Sequence, residues 1–196
     1  MMRVVAAVDR TVDCPLRTDV LRNNAETTVS IPAAVEADFV RVDIHTGAAV
    51  TDQDVFQDCA HKTLRFREQL GVDSKVLADV GVKHTGPLGV ERSVGNRLAN
   101  LVERGLAGRM IVSGAATGEA VDTDTLETAV AALRRPRTAD PIFASSGVTT
   151  DSAAQLLGVA DGAVVDTALK EGGQTTNPVT VDRVERLANV VVEDTD

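Results

Sequence analysis

The sequence predicts an α/β protein of the TIM type, with six parallel strands forming an incomplete (β/α) barrel. Three observations carry this. Short β-branched runs alternate with amphipathic stretches along the whole chain. The intervening stretches are long enough to return each strand parallel to the one before. Each strand is followed by polar or glycine residues, which gathers chemistry at one rim, as on the catalytic face of a barrel. An open doubly wound sheet would call for a glycine-rich turn after the first strand, and Leu21-Arg22-Asn23-Asn24 supplies none.

Taken in order, Val4-Val5-Ala6-Ala7-Val8 reads as the end of a helix, and Asp13-Cys14-Pro15-Leu16 turns it into the first strand, residues 18–21. The next strands are 39–44, 75–80, 109–112, 141–144 and 162–165, each rich in Val, Ile or Leu. Helices are expected over 51–70, 91–105, 123–133, 150–157 and 181–190. Asp122-Thr123-Asp124 and Thr149-Thr150-Asp151 offer capping oxygens, and Gly71, Gly105 and Gly158 fall where a helix takes a left-handed stop. After the strands come Arg22-Asn23-Asn24, His45-Thr46-Gly47, Lys83-His84-Thr85-Gly86, Ser113-Gly114, Ser145-Ser146-Gly147 and Asp166-Thr167.

The 196 residues, 43% hydrophobic and 25% charged, suit one packed domain spanning 1–196. With 29 acidic against 20 basic residues the net charge is -9, which repels phosphate backbones and anionic lipid and argues against a nucleic-acid partner. Only four of the cations are lysines, Lys62, Lys75, Lys83 and Lys170; with few aromatics this suggests a halophilic cytoplasm. No apolar run approaches the roughly 18 residues of a membrane span, and the N-terminal stretch has no signal-peptide core, so a cytoplasmic location without membrane insertion is expected. Cys14 and Cys59 lack metal or disulfide spacing and read as small buried side chains.

Several segments resemble the BtpA family of TIM-barrel proteins, named for photosystem I biogenesis. They are Val20-Leu21-Arg22-Asn23-Asn24, Phe39 to Ala48 with Val50-Thr51-Asp52-Gln53, Val76 to His84, Ile111 to Gly118, and Asn177-Pro178-Val179 with Arg183-Val184. The resemblance implies a barrel of the ribulose-phosphate-binding kind whose first two βα units are absent here. Six strands cannot close as eight do, so the expectation is either a misplaced or disrupted start codon upstream, or a second copy or another partner that covers the open strand edges.

For chemistry, Asp43 and His45 sit two apart on one expected strand and so project to the same side, with imidazole titrating near neutrality. Asp43 as an interior partner of Arg41 is the competing reading. Lys83 and His84 follow the next strand, with Asp79 behind them; these groups suit proton abstraction, a Schiff base, or a divalent cation such as Mg²⁺ held through Asp43 and Asp79. Asn23 would bind a substrate hydroxyl or carbonyl. Ser113 and Thr117 belong to a small-residue loop suited to an anion. The loops after the last two strands, with Ser146, Gly147 and Thr167, are where such barrels hold phosphate. At these loops Ser145 and Asp166 stand where relatives commonly have glycine, and Lys170 is expected to pair with Asp166. The expectations are an enzyme of a small phosphorylated or sugar-like metabolite, a non-catalytic assembly, biogenesis or regulatory factor, or a degenerate truncated family member.

Overall fold

The structure, a computed structural model, describes residues 1–20, 23–51, 54–82, 84–114, 119–134 and 140–193. It divides into two compact units, Met1–Met110 and Ile111–Asp196. The first unit runs α1 (Met2–Asp9), β1 (Arg17–Asp19), α2 (Ala25–Val35), β2 (Phe39–Val42), β3 (Ala48–Thr51), β4 (Val55–Gln57), α3 (Ala60–Leu70), β5 (Lys75–Gly81), β6 (Thr85–Pro87) and α4 (Val94–Ala99). A π-helical turn, Asn100–Arg104, extends α4, and β7 (Arg109–Ser113) runs across the division. The second unit continues with α5 (Thr123–Leu133), β8 (Ile142–Ser145), α6 (Thr150–Leu157), β9 (Gly162–Val164), two 3₁₀ turns and α7 (Val181–Glu193).

The six expected strands form one sheet in the order β1-β2-β5-β7-β8-β9. Strands β1 and β2, β2 and β5, and β8 and β9 pair in parallel, with Thr18 opposite Val40, Val40 opposite Val76, and Phe143 opposite Gly162. In β2 the burial alternates, with Val40 and Val42 buried and Phe39 and Arg41 half-buried. Residues 76 to 80 of β5 are all buried, the signature of a strand covered on both faces. Helix α2 packs on α1, β2 and α3. Its start is fixed by Asn24, whose Oδ1 accepts from the Thr27 amide at 3.0 Å.

In the second unit the expected caps form. Asp122 accepts from the Thr125 amide, and Thr149 and Ser152 make a reciprocal capping box at the head of α6. Helices α5 and α6 have the expected bounds.

Two expectations are corrected. Residues 51–70 are not one helix: β3 and β4 form a hairpin ahead of α3, and β6 adds to β3 antiparallel, giving a small sheet in the order β4-β3-β6. The reason is non-local, because Val50 pairs with Val55 but also with Gly86, a partner no local periodicity reveals. Gly71 takes the left-handed stop at φ 65, whereas Gly105 and Gly158 end their helices with φ of -82 and -64.

Candidate functional site

In a parallel pair, residues in register point to the same face of the sheet, and every second residue repeats it. Asp19 is in register with Arg41, and Arg41 with Leu77. Arg17, Asp19, Arg41 and Asp79 therefore share one face, opposite the buried Val40, Val76 and Ala78. Asp43 lies just past the end of β2 and reaches the same group. The result is a polar cluster of three carboxylates and two guanidinium groups on neighbouring strands.

Arg41 is its centre. Nε donates to Asp79 Oδ2 at 2.8 Å and Nη2 to Asp79 Oδ1 at 2.7 Å, a side-on bidentate pair. The Asp79 side chain is 0% exposed. The same guanidinium stands 3.8 Å from Asp43 and 3.9 Å from Asp19, and one Asp19 carboxylate oxygen is buried without a hydrogen-bond partner.

These positions set the protonation of the cluster. Burial works against the charge on Arg41, but the bonds from Asp79 and the charges of Asp19 and Asp43 hold it above its ordinary value. Burial pushes the Asp79 carboxyl up while the Arg41 fork pulls it down, and the short side-on contact is the geometry of an ionised pair. Burial lowers Arg17, with Arg41 as a like charge beside it. Asp43 is raised to about 6, by burial first and then by the charges of Asp19 and Asp79. It is thus a carboxyl that exchanges a proton near neutrality and keeps some solvent contact, its side chain being 20% exposed.

His45 does not join this group. Strand β2 ends at Val42, so Asp43 and His45 are not neighbours on one strand face, and His45 is 0% exposed. Its Nε2 lies 2.8 Å from the Gly105 carbonyl oxygen, which can only accept, so the proton is assigned to Nε2 and Nδ1 is left buried without a partner. Burial holds the imidazole below its ordinary value. A rim position for His45 is therefore corrected to a sealed one.

Asn23 also serves the fold. Its Nδ2 donates to the carbonyls of Ile44 at 2.8 Å and Gln57 at 3.0 Å, and its Oδ1 accepts from the Ile44 amide at 3.1 Å. With φ 54 the residue occupies the left-handed region that asparagine tolerates. His84 is exposed, at φ 58, while Lys83 lies outside the described residues. Cys59 is buried, but Cys14 is exposed, correcting the expectation for that residue.

Among the described residues no three His, Cys, Asp or Glu side chains converge to hold a metal ion. Both oxygens of Asp79 accept from Arg41, so the Asp43 and Asp79 pair does not fit a Mg²⁺ site, one of the three roles the sequence left open; Arg41 already supplies the positive charge.

The second unit has its own candidate rim. Ser113 ends β7, and Thr117 lies outside the described residues. In the loop after β8, Ser146 and Gly147 have φ of 71 and 62, and the Ser146 hydroxyl is buried without a partner. A Cβ at Gly147 would meet the Ala120 amide at 2.3 Å, and one at Gly114 would meet the Glu119 carbonyl at 2.1 Å. These glycines are required by the chain's own backbone packing. Thr167 shares a hydrogen bond with Thr175, and Lys170 pairs with Asp166 at 3.0 Å as expected.

Arg17 and Asp19 are the cluster members that sequence reasoning missed. Their signal was the repeat Arg17-Thr18-Asp19 and Arg41-Val42-Asp43, the same charge pair at strand spacing in two successive strands.

The BtpA family model matches residues 1–193. The chain is 37% identical over 190 residues to an uncharacterized protein of Thermococcus kodakarensis, covering 97% of this chain and 70% of that one. It is 35% identical over 193 residues to the photosystem I biogenesis protein BtpA of Synechocystis, covering 98% of this chain and 66% of that one. Among solved structures it resembles N-(5'-phosphoribosyl)anthranilate isomerase from Pyrococcus furiosus, with TM-score 0.66 and 11% identity over 98% of this chain and 81% of that one. It also resembles orotidine 5'-phosphate decarboxylase from Pyrococcus horikoshii, with TM-score 0.62 and 16% identity over 100% and 81%. At these identities the likeness is one of fold: a TIM-type barrel architecture, present here as six parallel strands. No helix among the described residues is long and apolar enough to cross a membrane.

Proposed function

The chain belongs to the BtpA family, and from its polar strand-face cluster we propose that it is an enzyme acting on a small phosphorylated or sugar-like metabolite, with Asp43 as the proton-transfer group. The observation that carries this is the contrast within one cluster. Asp79 is fully buried and bound side-on by Arg41, while Asp43 is 20% exposed and raised to about 6. A carboxyl that gains and loses a proton near neutrality is what general acid–base catalysis needs, and the structural group beside it holds the geometry. Arg17 and Arg41 would stabilise negative charge developing on a substrate carbonyl or hydroxyl.

The test is a thermal-shift screen of sugar phosphates, sugar acids and their unphosphorylated counterparts. A hit should raise the melting temperature of wild type and of Asp43→Asn alike, while Asp43→Asn turns the compound over at least about 100-fold more slowly, the usual scale of a lost acid–base group. Absence of any stabilising compound, or equal turnover by both proteins, would sink the enzymatic reading.

A second reading, a non-catalytic assembly factor, is favoured by the Synechocystis relative's name and by one surface. Val50 and Val55 face each other across β3 and β4 and are both exposed, and Leu88 follows β6 exposed as well. Co-purification of a stoichiometric protein lost on Val50→Asp would support it.

A further inference from the structure

Arg41 faces three carboxylates and bonds side-on to one. Its Nε and Nη2 donate to Asp79 at 2.8 and 2.7 Å, while Asp43 and Asp19 stay at 3.8 and 3.9 Å. A guanidinium presents a rigid planar fork, so once Nε and Nη2 are committed to one carboxylate, the others meet mainly its charge at a distance. Asp79 wins this competition for a physical reason. It is fully buried on a strand covered on both faces, and without Arg41 it would be a charge with little solvent to turn to. Asp43, past the end of β2 and partly exposed, retains water as an alternative partner.

We propose that Asp79 is a positioning residue: it locks Arg41 side-on, withholds the guanidinium from Asp43, and so leaves Asp43 as the proton-exchanging group of the cluster. This rests on the reading of Asp43 as the acid–base group and identifies what keeps it in that role. The charged groups facing Asp43 are Asp19 and Arg17 from β1, Arg41 from β2 and Asp79 from β5. Of these, Arg41 is the nearest cation, and a direct bond from it would hold Asp43 ionised. The Asp79 fork prevents that bond.

The experiment is a carboxyl carbon NMR titration of the full chain as wild type, Arg41→Lys and Asp79→Asn, with Asp43→Asn identifying the Asp43 signal. Arg41→Lys is decisive because it conserves every charge and removes only the fork, letting a point-like ammonium settle between the carboxylates. In wild type the Asp43 midpoint should lie at about 6. In both variants it should fall by about one pH unit or more, as expected when a carboxylate gains a close cation. An unchanged midpoint in Arg41→Lys overturns the proposal. Should neither variant fold, wild type still decides: Asp79 must stay ionised while Asp43 takes up its proton, and the reverse order overturns it. Turnover is independent of this readout. A shifted midpoint with no substrate found sinks the enzymatic reading alone, and a substrate with an unmoved midpoint sinks this proposal alone.

Discussion

His45 and Gly105, sixty residues apart, are joined by one hydrogen bond inside the first unit: the imidazole Nε2–H donates to the Gly105 carbonyl at 2.8 Å, and no surface of the ring reaches solvent. Asp58 and Arg67 are the charged groups that act on it. The folded protein holds this imidazole neutral, below its ordinary value, whereas the unfolded chain protonates it below about 6.5. The unfolded state therefore binds more protons in that window, and stability must fall as pH drops through it. Denaturant melts at pH 7.5 and 5.5 should show a loss at the lower pH that is smaller in His45→Gln. Equal losses in the two proteins would contradict the assignment.

Asp43 gives the opposite slope. Its folded value, about 6, lies above the ordinary 3.8, so the folded state binds the extra proton between these limits. Stability from this group is full at low pH and is lost as pH rises through about 6. Asp43→Asn removes the loss and should stabilise the protein by about 2 kcal/mol at pH 8, with the gain vanishing below pH of about 4. Chemical melts at the two pH values measure it. A variant that is less stable than wild type at pH 8 would argue against a raised Asp43.

Asn23 should be among the most sensitive polar positions of the first unit. Its amide serves the Ile44 amide and carbonyl and the Gln57 carbonyl at once, from a left-handed backbone. Asn23→Ala removes all three bonds and places an unsuited residue at φ 54, for an expected cost of about 2–3 kcal/mol. Asn23→Gly relieves the backbone and should cost less. Matching losses would show that the hydrogen bonds alone matter.

The strand pattern was readable because β2, β7 and β8 are short runs of β-branched and apolar residues that local alternation identifies, and Asp122 and Thr149 marked their helices for an equally local reason. What was not readable depends on partners distant in sequence. The β3 strand is completed by β6, over thirty residues on, and His45 is sealed by Gly105. Within the cluster, Asp43 and Asp79 were legible as interior carboxylates, but their division of labour was not. That division turns on which carboxylate the Arg41 fork chooses, a matter of burial that spacing does not encode.

The loop glycines of the second unit permit a control within one molecule. A methyl at Gly147 would sit 2.3 Å from the Ala120 amide on a backbone with φ 62, and one at Gly114 would sit 2.1 Å from the Glu119 carbonyl, whereas nothing lies within 4 Å of a methyl at Gly108. Gly147→Ala and Gly114→Ala should each cost about 2 kcal/mol or more, and Gly108→Ala about 0.5 kcal/mol or less. Thermal melts of the three variants check the ranking. If Gly147→Ala proved neutral, the Glu119–Ala120 segment would have to stand away from this loop.

Breaking the Arg41 and Asp79 pair should be far more damaging than replacing it. Arg41→Met leaves a fully buried carboxylate with its two short bonds gone, for an expected loss of about 3–5 kcal/mol. Changing Asp79 to Leu in the same chain removes the buried charge and should recover more than half of that loss, because two apolar side chains carry no desolvation penalty. The double variant would then be folded but without its nearest cation, Arg41, beside Asp43. Denaturant melts of the two single variants and the double give the coupling energy directly. Additive losses would mean that the side-on contact at 2.7 and 2.8 Å contributes no pairwise stabilisation, and that Asp79 holds Arg41 in place without depending on it.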